Sequence, residues 1–141
     1  MIIADTGAMV ALVDADDRHH EVLRSLFGSE PWVLPWAILP EVDHLLGARV
    51  NRRAQRLFFD DVAAGSFAVE WGNEGDVERA AELDRQYEDL RIGLVDAVVM
   101  AIAERLGATG IATLDLRHFG SVAIRGAPRL LPRDLESVDS R

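Results

Sequence analysis

The first thirteen residues, MIIADTGAMVALV, set a short apolar run before Asp5 and a longer one after Gly7. That is the pattern of a buried strand followed by a helix. In RHHEVLRSLFG the apolar positions are Val22, Leu23, Leu26 and Phe27, with Asp16 and Asp17 ahead as candidate caps and Gly28 behind as a candidate stop; this spacing predicts a helix. WVL predicts a second strand. Residues 37–49 carry Leu39, Val42, Leu45 and Leu46 at helical spacing, and residues 52–64 predict another helix with Leu57, Phe58 and Val62 inward. FAVEW has strand character. In the acidic stretch 74–88, Val77, Ala80, Ala81, Leu83 and Tyr87 share one side, so most of its charge is read as a solvated helix face. LVDAVVMAIAERLG is apolar nearly all round and closes on Gly107, which marks a central helix. GIATL and PRLL supply the last two strands. Short strands alternating with helices predict an α/β layer fold with a mainly parallel sheet.

Composition narrows the chemistry. With 141 residues and no internal repeat or linker, the chain is expected to form one domain, large enough to bury roughly two thirds of its unfolded surface. Cysteine is absent, which removes disulfides, thiol nucleophiles and zinc–thiolate sites. All 15 basic residues are arginine, so chemistry that needs an ε-amine is excluded too. The longest run without Asp, Glu or Arg is PWVLPWAILP, residues 31–40. It is well short of the ~20 apolar residues of a membrane span. The N-terminus has no basic region of a signal peptide, so a soluble, cytoplasmic protein is expected.

The net charge of -9 argues at first against a phosphate-rich partner. Its distribution alters that. Residues 70–89 carry eight acids against Arg79 and Arg85, a net of -6, which leaves -3 for the rest. If Asp5, Glu41, Asp96 and Asp115 hold a metal, the remainder is +1. Nucleic acid is not vetoed.

In parallel α/β sheets, ligands bind beyond the carboxyl ends of the strands. Asp5 and Asp115 follow predicted strands there. Glu41 opens a helix after ILP, and Asp96 opens the buried-looking LVDAVVMAIA. An isolated carboxylate in such a place is costly and calls for a partner. A hard cation such as Mg²⁺ takes carboxylate oxygens and leaves room for a phosphate. Each acid also has a plainer reading: Asp5 as a helix cap, Glu41 and Asp96 as first-turn acids favoured by the helix dipole, Asp115 as a turn residue. His19 and His20 read as a polar helix face, His44 as a surface or interface residue. Trp32, Trp36 and Trp71 read as core or interface, with base stacking as the minority alternative. Arg49, Arg52, Arg53 and Arg56 form a basic face that is either solvated or docks RNA or a protein partner.

The stretches MIIADTGAMVALVDADDRHHEVL, LPEVDHLLG, IGLVDAVVMAIAERLGATGIATLDLRHFG and PRLL, in this order over nearly the whole chain, resemble the PIN-domain ribonucleases, and specifically the VapC-type toxins of bacterial toxin–antitoxin pairs. The resemblance implies a PIN-like α/β/α sandwich, a homodimer, and an Mg²⁺- or Mn²⁺-dependent endoribonuclease site at Asp5, Glu41, Asp96 and Asp115. Metal-assisted phosphodiester hydrolysis is the implied reaction, with Asp5, Asp96 and Asp115 as ligands and Glu41 binding directly or orienting a water. Thr6 and Thr113 are expected to hydrogen-bond the carboxylates or a phosphate, and Arg117 and His118 to contact substrate. A VapB-type antitoxin would block the site, through an arginine set against the acids. Gly7 stands where many relatives have Ser, and Leu116 where many have a basic residue. Two other readings stay open: an aspartic protease that pairs two Asp-Thr-Gly motifs across a dimer axis, and an inactive binding module on the same fold.

Overall fold

The computed structural model describes residues 1–135; residues 136–141 of the expected domain lie outside them. Five strands form one all-parallel sheet: β1 (Ile2–Ala4), β2 (Trp32–Pro35), β3 (Ala68–Glu70), β4 (Gly110–Ala112) and β5 (Arg129–Leu131), in the order β3-β2-β1-β4-β5. Ile3 of β1 sits opposite Val33 of β2 and Ile111 of β4, and Ile111 in turn opposite Leu130 of β5. Ile2, Ile3, Ala4, Leu34, Ile111, Ala112 and Leu131 are all fully buried, as the apolar runs of a sheet covered on both faces require. The chain first builds outward from β1 through β2 to β3, then returns to the other side of β1 with β4. This reversal falls between β1 and β4, and sheets of this kind bind ligands beyond the carboxyl ends of the strands at such a point.

Seven α-helices connect and cover the strands: α1 (Thr6–Val13), α2 (His20–Ser29), α3 (Leu39–Arg49), α4 (Arg52–Ala63), α5 (Glu74–Gln86), α6 (Gly93–Leu106) and the single turn α7 (Leu116–Phe119). α6 buries every residue from Ala97 to Ala103, so it is the central helix its pattern predicts. It ends on Gly107 at φ +62°, a left-handed turn for which glycine carries no Cβ penalty. Asn73 and Asp76 form a reciprocal capping box at the start of α5, each side chain accepting from the other's backbone N–H.

Several expectations are corrected in detail. Leu57 and Val77 face solvent at 52% and 44% exposure, while Phe58 and Leu83 do the packing. The apolar stripes of α4 and α5 are narrower than the sequence suggested, since each helix covers the core with one edge only. Gly28 lies inside α2, which runs one residue further, and neither Asp16 nor Asp17 caps it; its N-cap is His19. The charge of α5 is not all solvated: Asp76 is buried and accepts from Arg105 Nε at 2.7 Å and Nη2 at 3.0 Å, with Glu70 on the same guanidinium at 2.7 Å. Arg79 and Glu104 form a second link between α5 and α6, at 2.7 Å. Trp32, Leu34, Ala37 and Ile38 of PWVLPWAILP are buried within the chain. Trp32 packs edge-on against Phe27, centroids 5.4 Å apart. Among the described residues no helix is long and apolar enough to cross a membrane.

Candidate metal centre

Each of the four acids is placed by the end of a different element. Asp5 ends β1 and occupies the N-cap position of α1, in extended conformation. Its side chain makes no capping bond there. Instead its Oδ2 accepts from Thr113 Oγ1 at 2.8 Å, across the reversal point from just beyond β4. Thr113 Oγ1 accepts in turn from the Asp115 backbone N–H at 3.0 Å. The threonine hydroxyl therefore directs its one hydrogen at Asp5 while fixing the backbone that carries Asp115. Thr6, buried in the first turn of α1, donates to Glu41 Oε1 of α3 at 2.6 Å. Thr6 and Thr113 each donate to a carboxylate.

Asp115 caps α7: its Oδ1 accepts from the His118 N–H at 3.1 Å. The turn reading of Asp115 holds for that oxygen only. Its Oδ2 lies 3.0 Å from His118 Nδ1, and the same nitrogen lies 2.7 Å from Asp96 Oδ2 in the first turn of α6. One imidazole nitrogen thus bridges carboxylates from two helices. The i, i+3 spacing of Asp115 and His118 was visible in the sequence; the meeting with Asp96 was not, because it depends on how α6 and α7 pack. Arg117 is exposed. His44 is exposed too, and Trp71, at 69% exposure, is on the surface. His19 and His20 stay on α2 and its approach, bonded to Asp17 and to the Ala11 carbonyl. At Gly7 an added Cβ would come no closer than 3.9 Å to Leu114, so packing does not demand the glycine.

The acids sense one another. Asp5, only 5% exposed, has its pKa pushed up to about 7, first by burial and then by the charges of Asp96 and Asp115; the hydrogen bonds from Thr113 and the Thr6 backbone oppose this. Asp96 is also raised, foremost by burial and then by Asp115 and Glu41, against the lowering effect of His118. So the four carboxylates form one electrostatic unit, and among the described residues the nitrogen side chain bonded into it is His118. Asp5 has none. Oxygen donors from separate rigid elements, carrying more negative charge than one imidazole offsets, fit a hard divalent cation. The protease reading gave no part to Asp96 or Asp115, which here share the site of Asp5.

Comparison with known proteins agrees with this geometry. The PIN domain model matches residues 2–124. The chain is 30% identical over 130 residues to Ribonuclease VapC26 of Mycobacterium tuberculosis (strain ATCC 25618 / H37Rv), covering 91% of this chain and 96% of that protein. Its fold is similar to the crystal structure of M. tuberculosis VapC20, a Sarcin-Ricin loop cleaving toxin, with TM-score 0.77 and 22% identity over 90% of this chain and 98% of that one. It is also similar to a chain of VapBC2 from Rickettsia felis, crystallised bound to a DNA fragment from their promoter, with TM-score 0.67, 16% identity and coverage of 92% and 97%. The matched family model, the near-complete overlap with VapC26 and the sheet that gathers the acids lead to one conclusion: this chain belongs to the PIN-domain family, among its VapC-type ribonucleases.

Proposed function

We propose that the chain is a divalent-metal-dependent endoribonuclease, built as a single nuclease domain, and that it acts in the cytoplasm as the toxin of a VapBC-type toxin–antitoxin pair. The observation that carries this reading is the acidic centre at the reversal point of the sheet, where ligand atoms of Asp96 and Asp115 lie within 4.8 Å and, beyond burial, the charge of Asp96 raises the pKa of Asp5 while that of Glu41 raises that of Asp96. There Asp5 is buried and its pKa pushed up to about 7 with no cation bonded to it. Asp5, Asp96 and Asp115 would hold Mg²⁺ or Mn²⁺, and Glu41, the more exposed of the four, would bind directly or orient a water. A divalent cation there supplies positive charge to a scissile phosphate and lowers the pKa of water beside it.

The chain's own residues do the rest. Thr113 holds the Asp5 carboxylate in place and fixes the backbone of Asp115, so two ligand positions depend on one hydroxyl. Thr6 does the same for Glu41. Exposed Arg117, between Asp115 and His118 in the chain, would meet an RNA phosphate. Exposed Leu57, Phe59 and Trp71 offer apolar surface for a second copy in a homodimer or for a VapB-type antitoxin. The likeness to VapC26 and to a chain of a VapBC complex supports both RNA as substrate and an antitoxin as partner.

The test is incubation of the purified protein with total RNA in Mg²⁺, in Mn²⁺ and in EDTA, with the cut ends mapped and Asp96→Asn run beside it. Discrete cuts that need metal and vanish in the variant are expected. Cleavage that persists in EDTA, or in Asp96→Asn, would remove the acids from the reaction.

A further inference from the structure

His118 lies closer to the acids than a substrate contact requires. Its Nδ1 stands 2.7 Å from Asp96 Oδ2 and 3.0 Å from Asp115 Oδ2, and donor atoms of these three residues all fall within 4.8 Å of one another. Ligand atoms side by side around an ion with bonds of about 2.1 Å stand about 3 Å apart. The nitrogen is therefore already spaced as a neighbour of the two oxygens in one coordination shell. The backbone supports the placement: the His118 N–H is tied to Asp115 Oδ1, which leaves Oδ2 and the ring to face Asp96. The ring is 19% exposed, so the position opens to solvent. An ordinary ion pair would explain one carboxylate. A single nitrogen within 3.0 Å of two carboxylates from separate segments is spaced to share one ion with both.

We infer that His118 is a metal ligand through Nδ1, and that this nitrogen makes the site prefer Mn²⁺ to Mg²⁺. The inference rests on the proposed metal centre and adds to it a fifth residue, of a third type, and an order of preference. On binding, the cation takes the place of the hydrogen that Nδ1 directs at the carboxylates, and the neutral ring carries its hydrogen on Nε2. Mg²⁺ is best served by oxygen and water, whereas imidazole raises affinity for ions further along the first-row series, of which Mn²⁺ is the earliest. The residue is thereby assigned to the cation and not to RNA recognition.

The experiment uses the whole protein and Mn²⁺ itself, read by pulsed electron paramagnetic resonance, together with calorimetric titrations of Mn²⁺ and Mg²⁺. Wild-type protein is expected to show ¹⁴N modulation on bound Mn²⁺, replaced by a ¹⁵N pattern when histidine is ¹⁵N-labelled. In His118→Gln the modulation should vanish and Mn²⁺ affinity fall by about tenfold or more, with a smaller change for Mg²⁺. The remaining histidines, His19, His20 and His44, stay in that variant as internal controls. A circular dichroism melt of His118→Gln in EDTA, within a few degrees of wild type, shows that the fold is retained. Bound Mn²⁺ without nitrogen modulation, or modulation that survives in His118→Gln, overturns the assignment while leaving the carboxylate site standing. Failure of wild type to bind Mn²⁺ at all overturns both.

Discussion

Replacing Asp5 by Asn in the metal-free protein should stabilise it by an amount that grows as pH rises from about 4 to about 7 and then levels off. The folded state lifts the Asp5 pKa from 3.8 to about 7, mainly through burial. Between those values the folded protein holds a proton that the unfolded chain has released. The favourable contribution of the protonated group is therefore fully present below pH 3.8 and is lost as pH rises to about 7. The separation of about three units corresponds to about 4 kcal/mol at pH 8. For a domain of this size that is on the order of 10 °C in melting temperature. Asn keeps the volume and still accepts from Thr113, but carries no charge to desolvate. Melts by circular dichroism in EDTA should place Asp5→Asn level with wild type near pH 4 and well above it at pH 8. Adding Mn²⁺ at pH 8 should then raise wild type and leave the variant nearly unmoved. A variant that melts below wild type at pH 8 in EDTA, or a difference that does not change with pH, would return Asp5 to a structural role.

Other consequences follow from the same contacts. Thr113→Val removes the hydroxyl shared by Asp5 and Asp115 at similar volume, and calorimetry should find Mn²⁺ affinity lower by about 10- to 100-fold; unchanged affinity would make that hydroxyl irrelevant to the site. Gly120→Ala would press a Cβ against the Leu116 carbonyl oxygen in the turn that carries Asp115 and His118. Both melting temperature and Mn²⁺ affinity should fall, and a variant that loses neither would show that the turn yields freely. Asp76→Ala breaks the two bonds to Arg105 and the one its carboxylate accepts from the Asn73 N–H, half of the capping box of α5, at a cost of about 2–3 kcal/mol in urea denaturation. That is below the full figure for a buried pair, because Arg105 is 34% exposed and keeps Glu70. RNA cleavage by the folded variant should be unaffected, and lost cleavage would tie α5 to the site. In cells, wild-type expression should arrest growth while Asp115→Asn is tolerated at equal protein level; equal tolerance of the two would count against the toxin assignment.

What the sequence made legible were the features that local pattern determines. Apolar runs marked all five strands, and the uniformly apolar stretch closed by Gly107 marked α6 as the centre of the molecule. Asp5 was conspicuous because β1 ends directly before it, and Asp115 because it follows the apolar run of β4 by three residues. What stayed hidden depends on packing between distant segments. Nothing local shows that Asp76 is buried, since its partner Arg105 lies 29 residues away. Leu57 and Val77 have the right spacing for the core, but the helices tilt them outward. α7 spans four residues, too few for any periodicity to register. The role of His118 needed the approach of α6 to α7 before its nitrogen could be seen between two acids.

The central claim is that the acids at the end of the sheet gather a divalent cation, and crystals soaked in MnCl₂ at pH 8 test it most directly. Anomalous difference maps collected near the manganese absorption edge should show a strong peak within bonding distance, about 2.0–2.3 Å, of Asp96 and Asp115 oxygens. Asp5 should lie beside the same peak, and the peak should be absent from Asp96→Asn crystals treated alike. A map without density at the four acids, or with manganese bound only elsewhere on the surface, would contradict the account.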